Sequence, residues 1–199
     1  MPVIEELEIV VKQDETAPDG IADPRQEKVT FALIVKTWVQ TAFITVALLF
    51  FLVTFVVQGF AVSGSCMEPN LRTGERILGN KFVYRFVPPR RGDVIIFRYP
   101  NDPSKTYIKR VIGLPGETVE IRNGQVYINN RCLHESYVVY IPEPQDYGPK
   151  VISQHSLFVL GDYRDQSNDS RYWGELPMEN LRAKAWLRYW PINRLDVMK

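Results

Sequence analysis

Cys66 lies in the stretch "SGSCMEPNL", Ser63–Leu71, shortly after a long apolar run. A free thiol has a pKa of ~8.5, so only a few per cent is thiolate at neutral pH. Such a group becomes a useful nucleophile only beside a base or a cation. Without one, a cysteine next to Met67 reads as a small packed hydrophobe. Ser65 offers a hydroxyl one residue away, and Pro69 stiffens the chain that follows.

A base must come from elsewhere in the chain. His134 and His155 are the only histidines. Both fall in a stretch without a motif, so a Cys-His pair has little support. Lys109 sits in "YIKRVIGL", an apolar run with strand character. Period-two alternation puts Tyr107, Lys109 and Val111 on one face, with Ile108, Arg110 and Ile112 on the other. A lysine there is either on a solvated sheet face or a desolvated amine. Desolvation disfavours the ammonium form, and a neutral amine can accept a proton from a thiol or hydroxyl. A third group is "GDYRDQSNDSRYWG", Gly161–Gly174, which mixes Asp162, Asp165 and Asp169 with Arg164 and Arg171. The spacing does not match a calcium loop, and two arginines would repel a cation. It reads as a polar turn closed by Asx bonds, or as an ion-paired support in which Arg171 holds a carboxylate and Ser167 orients a lysine.

The elements that must position these residues are mostly strands. Short β-like runs alternate with turn signals at Arg76–Phe82, Asp93–Tyr99 and Thr106–Ile112. "TVEIRNGQVYINN" predicts a hairpin around Asn123-Gly124, a pair suited to a type I′ turn. "SLFVLGD" and "AKAWLRYWP" supply two more strands, the latter with Ala183, Ala185, Leu187 and Tyr189 on one face. The stretch His134–His155 reads as an irregular excursion.

Trp38–Val57 is 20 residues without a charge. As a helix it would span ~30 Å, the hydrocarbon thickness of a bilayer. A buried core helix is the competing reading. The 37 residues ahead of it argue against a cleaved signal peptide. Arg25, Lys28 and Lys36 on its N-terminal side face only Arg72 and Arg76 at similar distance on the other. That bias predicts a cytoplasmic N-terminus. The expected organisation is a cytoplasmic tail over 1–30, an anchor over 38–57 and a β-rich domain over 58–199. A net charge of +1 offers no basic field for nucleic acid. Two cysteines form no disulfide framework and no zinc pair; a single Cys66–Cys132 disulfide is a separate reading.

Taken together, the motifs resemble the type I signal peptidases, membrane-anchored proteases with a Ser/Lys dyad. "SCMEPNL" resembles the family's S-M-x-P-T-L box and "RRGDVIIF" its R-G-D-[IV]-[IV]-x-F box. "YIKRVIGLPGE" resembles Y-[IV]-K-R-[IV]-x-G-x-P-G-[DE], and "GDYRDQSNDSR" resembles G-D-N-x-x-x-S-x-D-S-R. The similarity runs over about residues 36 to 192. It implies an antiparallel, mainly β catalytic domain on one N-terminal transmembrane helix, outside the cytoplasm on the periplasmic or lumenal side. The implied substrates are preproteins bearing signal peptides, with no metal or organic cofactor. Carried over by position, Lys109 is the general base, Ser167 its hydrogen-bond partner, and Asp169 with Arg171 the supporting pair. Met67 and Pro69 shape the nucleophile turn, and the N–H of residue 66 serves the oxyanion hole. Cys66 stands where the family has its serine, while Ser65 is one residue out of register. Asn70 replaces Thr and Tyr163 replaces Asn. The expectation is an active but altered peptidase; the alternative is an inactive, membrane-anchored homologue that binds signal sequences.

Overall fold

The computed structural model describes residues 24–52, 56–138 and 146–198. Helix α1 covers Pro24–Phe51, and proline suits its first position because the missing N–H has no intrahelical acceptor there. Leu33–Phe51 is 19 residues with a mean hydropathy of 1.8, long and apolar enough to cross a membrane. None of that window is buried against protein, which removes the core-helix reading. Two expected boundaries change. Residues 24–30, assigned to the tail, already belong to the helix, while 1–23 lie outside the described residues. The apolar run is not helical to its end, because Val57–Ala61 is strand β1. Hydropathy does not separate the two states; backbone pairing does, with Val57 opposite Asn80 and the Lys81 N–H donating to Val56 O at 2.9 Å.

Among the described residues the remaining strands are β2 (Arg76–Asn80), β3 (Val94–Tyr99), β4 (Asp102–Gly113), β5 (Thr118–Arg122), β6 (Gln125–Ile128), β7 (Arg131–Cys132), β8 (Tyr147–Val151), β9 (Ser156–Leu160), β10 (Leu176–Pro177), β11 (Leu181–Trp190) and β12 (Asp196–Val197). They form two antiparallel sheets. The larger has the order β1-β2-β11-β3-β4-β9-β10, with β12 paired to β11; the smaller is β7-β6-β5-β8. The mainly β fold read from the sequence is therefore the fold observed. Asn123 and Gly124 both have positive φ, 48° and 76°, as the β5–β6 turn requires.

β3 explains why its sequence is one apolar run and not an alternation. Val94 and Ile96 pack with Met67, Leu71, Ile77, Ala183 and Ala185 on one face. Ile95 and Phe97 pack with Val111, Leu157, Val159 and Leu176 on the other. A third cluster, including Ile112, Val119, Ile121, Phe158 and Leu160, joins the two sheets. Two sequence readings are corrected here. Tyr147–Val151 pairs with β5 inside the expected irregular excursion; its "YGPKV" carries Gly and Pro, which suit an edge strand and mask its signal. In β11 the register shifts between Ala185 and Leu187. Ala183 and Ala185 are buried as expected, but beyond the shift it is Arg188 that is buried, while Leu187 and Tyr189 are half-buried. A bulge moves every later side chain to the opposite face.

Candidate active site

Lys109 is placed by the middle of β4, opposite Ile95 of β3. It is only 3% exposed although it carries a titratable amine. Its Nζ lies 5.5 Å from the Tyr107 ring centroid, on the face that alternation assigned to both. No carboxylate pairs with it among the described residues. Its sequence neighbour Arg110 faces the other way. Arg110 Nε and Nη2 donate to Asp162 at 2.8 and 2.7 Å, and the guanidinium stacks 4.1 Å over Tyr137. Burial alone would pull the Arg110 pKa down, but the bidentate Asp162 holds it above its ordinary value.

Cys66 sits on a tight turn. The Glu68 N–H donates to Ser65 O at 2.9 Å, and the Leu71 N–H to Met67 O at 2.8 Å. Met67 and Leu71 are fully buried, so the turn is pinned into the core by its apolar residues while Cys66 stays half-buried. The back of the turn is also held. Asn70 Nδ2 donates to Asp162 Oδ2 at 2.8 Å and to Tyr137 O at 2.9 Å, and Arg194 Nη2 donates to Pro69 O at 3.1 Å. Asp162 thus grips both the Cys66 turn, through Asn70, and the strand of Lys109, through Arg110.

The turn and the strand meet in one cleft of about 550 Å³. One wall is Phe60–Cys66, including Ser65; another is Lys105–Lys109; Gln166 and Asn168 close it. Cys66 Sγ lies 3.8 Å from Ile108 O, so the thiol touches the residue before the amine. β9 pairs with β4 only from Arg110 to Gly113. This leaves the other edge of Thr106–Lys109 without a strand partner among the described residues. The Cys66 N–H likewise donates to no acceptor among them.

The polar loop 161–169 packs directly on the turn. The Tyr163 N–H donates to Cys66 O at 3.0 Å. A Cβ on Gly161 would fall 2.5 Å from Cys66 O and against Ser167 Oγ, so only glycine permits this approach. Asp169 is fully buried; it accepts from Arg171 Nε at 2.9 Å, Arg171 Nη2 at 3.0 Å and the Gly161 N–H at 3.1 Å. It also caps helix α2, Ser170–Trp173. Ser167 is buried, yet its Oγ makes no hydrogen bond. The bond to Lys109 implied by the resemblance is therefore not made here. Arg164, counted with this loop, pairs with Glu135 at 2.6 Å.

Both cysteines are free, so the Cys66–Cys132 disulfide reading is overturned: Cys132 is exposed on β7 of the smaller sheet. His134 and His155 are exposed and do not line the cleft. The model of the family described as "Signal peptidase, peptidase S26" matches residues 35–190. The chain belongs to that family. The signal peptidase I of Leptolyngbya laminosa is 40% identical over 165 residues, covering 79% of this chain and 80% of that protein. A probable signal peptidase I-2 of Synechocystis sp. is 37% identical over 172 residues, 82% of this chain and 78% of that one. A crystal structure of a signal peptidase I from Enterococcus faecalis V583 is 35% identical with a TM-score of 0.45, covering 49% of this chain and 97% of that chain.

For this member of the signal peptidase family, the arrangement brings together a thiol, a buried amine and, among the described residues, a backbone donor without an acceptor and a strand edge without a partner. Sequence reasoning missed Gln166 and Asn168 on the cleft wall and the Asn70–Asp162–Arg110 bridge. Asp162 and Arg110 were visible as charged residues inside motifs, but nothing local shows that residues 52 positions apart are partners.

Proposed function

We propose that the chain is an endopeptidase that removes N-terminal signal peptides from exported preproteins, with Cys66 as nucleophile and Lys109 as general base. The observation that carries this reading is the shared cleft: Cys66 and Lys109 line one cavity, beside a strand edge that no described strand covers. A substrate laid along Thr106–Lys109 would add a strand, and its small side chains would enter the apolar wall of Phe60, Val62, Ile77 and Ile96. Lys109 Nζ takes the Cys66 thiol proton as Sγ attacks the scissile carbonyl carbon. The oxyanion is met by the Cys66 N–H. Lys109 returns the proton to the leaving amine, which departs as the mature N-terminus. Water, deprotonated by Lys109, then attacks the thioester and frees the signal segment with Cys66 restored. A thiol is more acidic than a hydroxyl, so sulfur makes the first proton transfer easier.

Family membership and the uncovered apolar helix support a membrane-anchored substrate partner. The lysine and arginine bias supports an N-terminus in the cytoplasm and the β domain on the opposite side. The test is processing of a preprotein by the full chain, by Cys66→Ser, by Cys66→Ala and by Lys109→Ala. Cleavage is expected from the first two and a loss of at least ~100-fold from the others. Full activity in Cys66→Ala would exclude sulfur as the attacking atom, and binding without cleavage by the unaltered chain would favour the inactive homologue.

A further inference from the structure

The catalytic cleft does not end at Cys66. Its closing residues, Gln166 and Asn168, are also part of a second cavity of about 390 Å³, lined in addition by Asp165, Ser167 and Tyr172. The two spaces therefore share a wall, in the loop whose Tyr163 N–H donates to Cys66 O. Their chemistry differs. The first is walled by Phe60, Val62, Ile77, Ile96 and Ile108, and the β4 edge that borders it runs from Lys109 back to Lys105, about 13 Å at ~3.3 Å per residue. That is room for the residues before the scissile bond. The second cavity has no aliphatic wall and adjoins the cleft through Gln166 and Asn168, which makes it the neighbouring space available to residues after the bond.

Charge in the second cavity follows from what its loop has already paired. Arg164 is engaged by Glu135 and by Gly161 O, and Arg171 by Asp169 and Arg164 O. Asp165 has no hydrogen-bond or ion-pair partner among the described residues. Ser167, buried to 4% exposure in the same wall, has an Oγ with no hydrogen bond. The cavity wall thus carries a carboxylate without a partner, and among the described residues no cationic side chain lines it.

We infer that this cavity binds the first residues of the mature protein, and that Asp165 gives it a preference for a cationic side chain there. This rests on the peptidase reading above and adds a substrate determinant to it. An exposed carboxylate–ammonium contact corresponds to about a two- to fivefold effect, weakened by salt. The test uses full-length protein in detergent micelles and labelled peptides with a common A-x-A end followed by Lys-Lys, Ala-Ala or Glu-Glu. Cleavage is compared as kcat/KM for the unaltered chain, Asp165→Asn and Asp165→Lys. Binding of the same peptides is read by anisotropy on a Cys66→Ala background, so the preference is measured whether or not the bond is cut. The expected order is Lys-Lys over Ala-Ala over Glu-Glu, flattened in Asp165→Asn and inverted in Asp165→Lys, with the difference in KM and in binding. Identical ratios in all three forms would overturn the inference while leaving the peptidase reading intact. Failure of every peptide to be cut, with the charge preference kept in binding, would do the reverse.

Discussion

Replacing Asp162 with alanine should damage both halves of the site at once. The carboxylate is completely buried, and the Arg110 side chain is 7% exposed. The substitution removes two hydrogen bonds from Arg110, at 2.8 and 2.7 Å, and one from Asn70, at 2.8 Å. It leaves a buried guanidinium without its counter-ion, a loss of ~3–5 kcal/mol. Arg110 keeps Gly92 O at 2.8 Å and the face of Tyr137, which places the expected cost near the lower end, about 3 kcal/mol. Against a typical total of ~5–15 kcal/mol this is a large share. Urea denaturation of the full chain in micelles, followed by tryptophan fluorescence, measures it. The Arg110→Met, Asp162→Leu double variant removes both charges and should recover to within ~1 kcal/mol of the original. Its activity should remain low, because Asn70 has lost the Asp162 half of its anchorage behind the Cys66 turn and keeps only Tyr137 O. A cost under ~1 kcal/mol for Asp162→Ala, or a double variant no better than the single one, would refute the claim that a buried ion pair holds turn and strand together.

Gly161→Ala should cost ~1–3 kcal/mol and much of the activity, since the new Cβ would press on the carbonyl of Cys66 itself; parallel melting and cleavage assays check both. Alkaline pH should destabilise the fold through buried tyrosines, Tyr84 and Tyr137 foremost and Tyr147 in the same direction. Burial pushes the Tyr84 and Tyr137 phenols up, and the carboxylates of Asp93 and Glu135 add to the shift. The folded phenols then stay protonated where unfolded ones ionise, so their stabilisation is complete below pH ~10 and declines above it. The decline steepens above pH ~10 toward a limit of about 1.4 kcal/mol per pH unit for each such tyrosine. Denaturation curves between pH 9 and 11 should show it, and Tyr137→Phe should make the slope shallower.

Much of this was legible in the residues because it depends on local rules. The Asn123-Gly124 hairpin needs positive φ at both positions, and the alternation in β4 correctly assigned Tyr107 and Lys109 to one face. The buried Asp169–Arg171 pair was readable because its partners are two residues apart. What escaped was non-local. Helix α1 and strand β1 share one apolar run, and only pairing with β2 separates them. Arg188 is buried because a bulge reverses the faces of β11, and no residue type announces that shift. Gln166 and Asn168 became cleft residues only once the loop was folded onto Cys66.

The most direct test of the central claim is whether Cys66 Sγ and Lys109 Nζ can be joined by one small reagent. o-Phthalaldehyde condenses with a thiol and an amine that lie together, giving a fluorescent isoindole that mass spectrometry can locate. An adduct linking residues 66 and 109 is expected, absent in Cys66→Ala and in Lys109→Met and accompanied by loss of preprotein cleavage. Failure to form that link, or the same fluorescence in Lys109→Met, would contradict the claim.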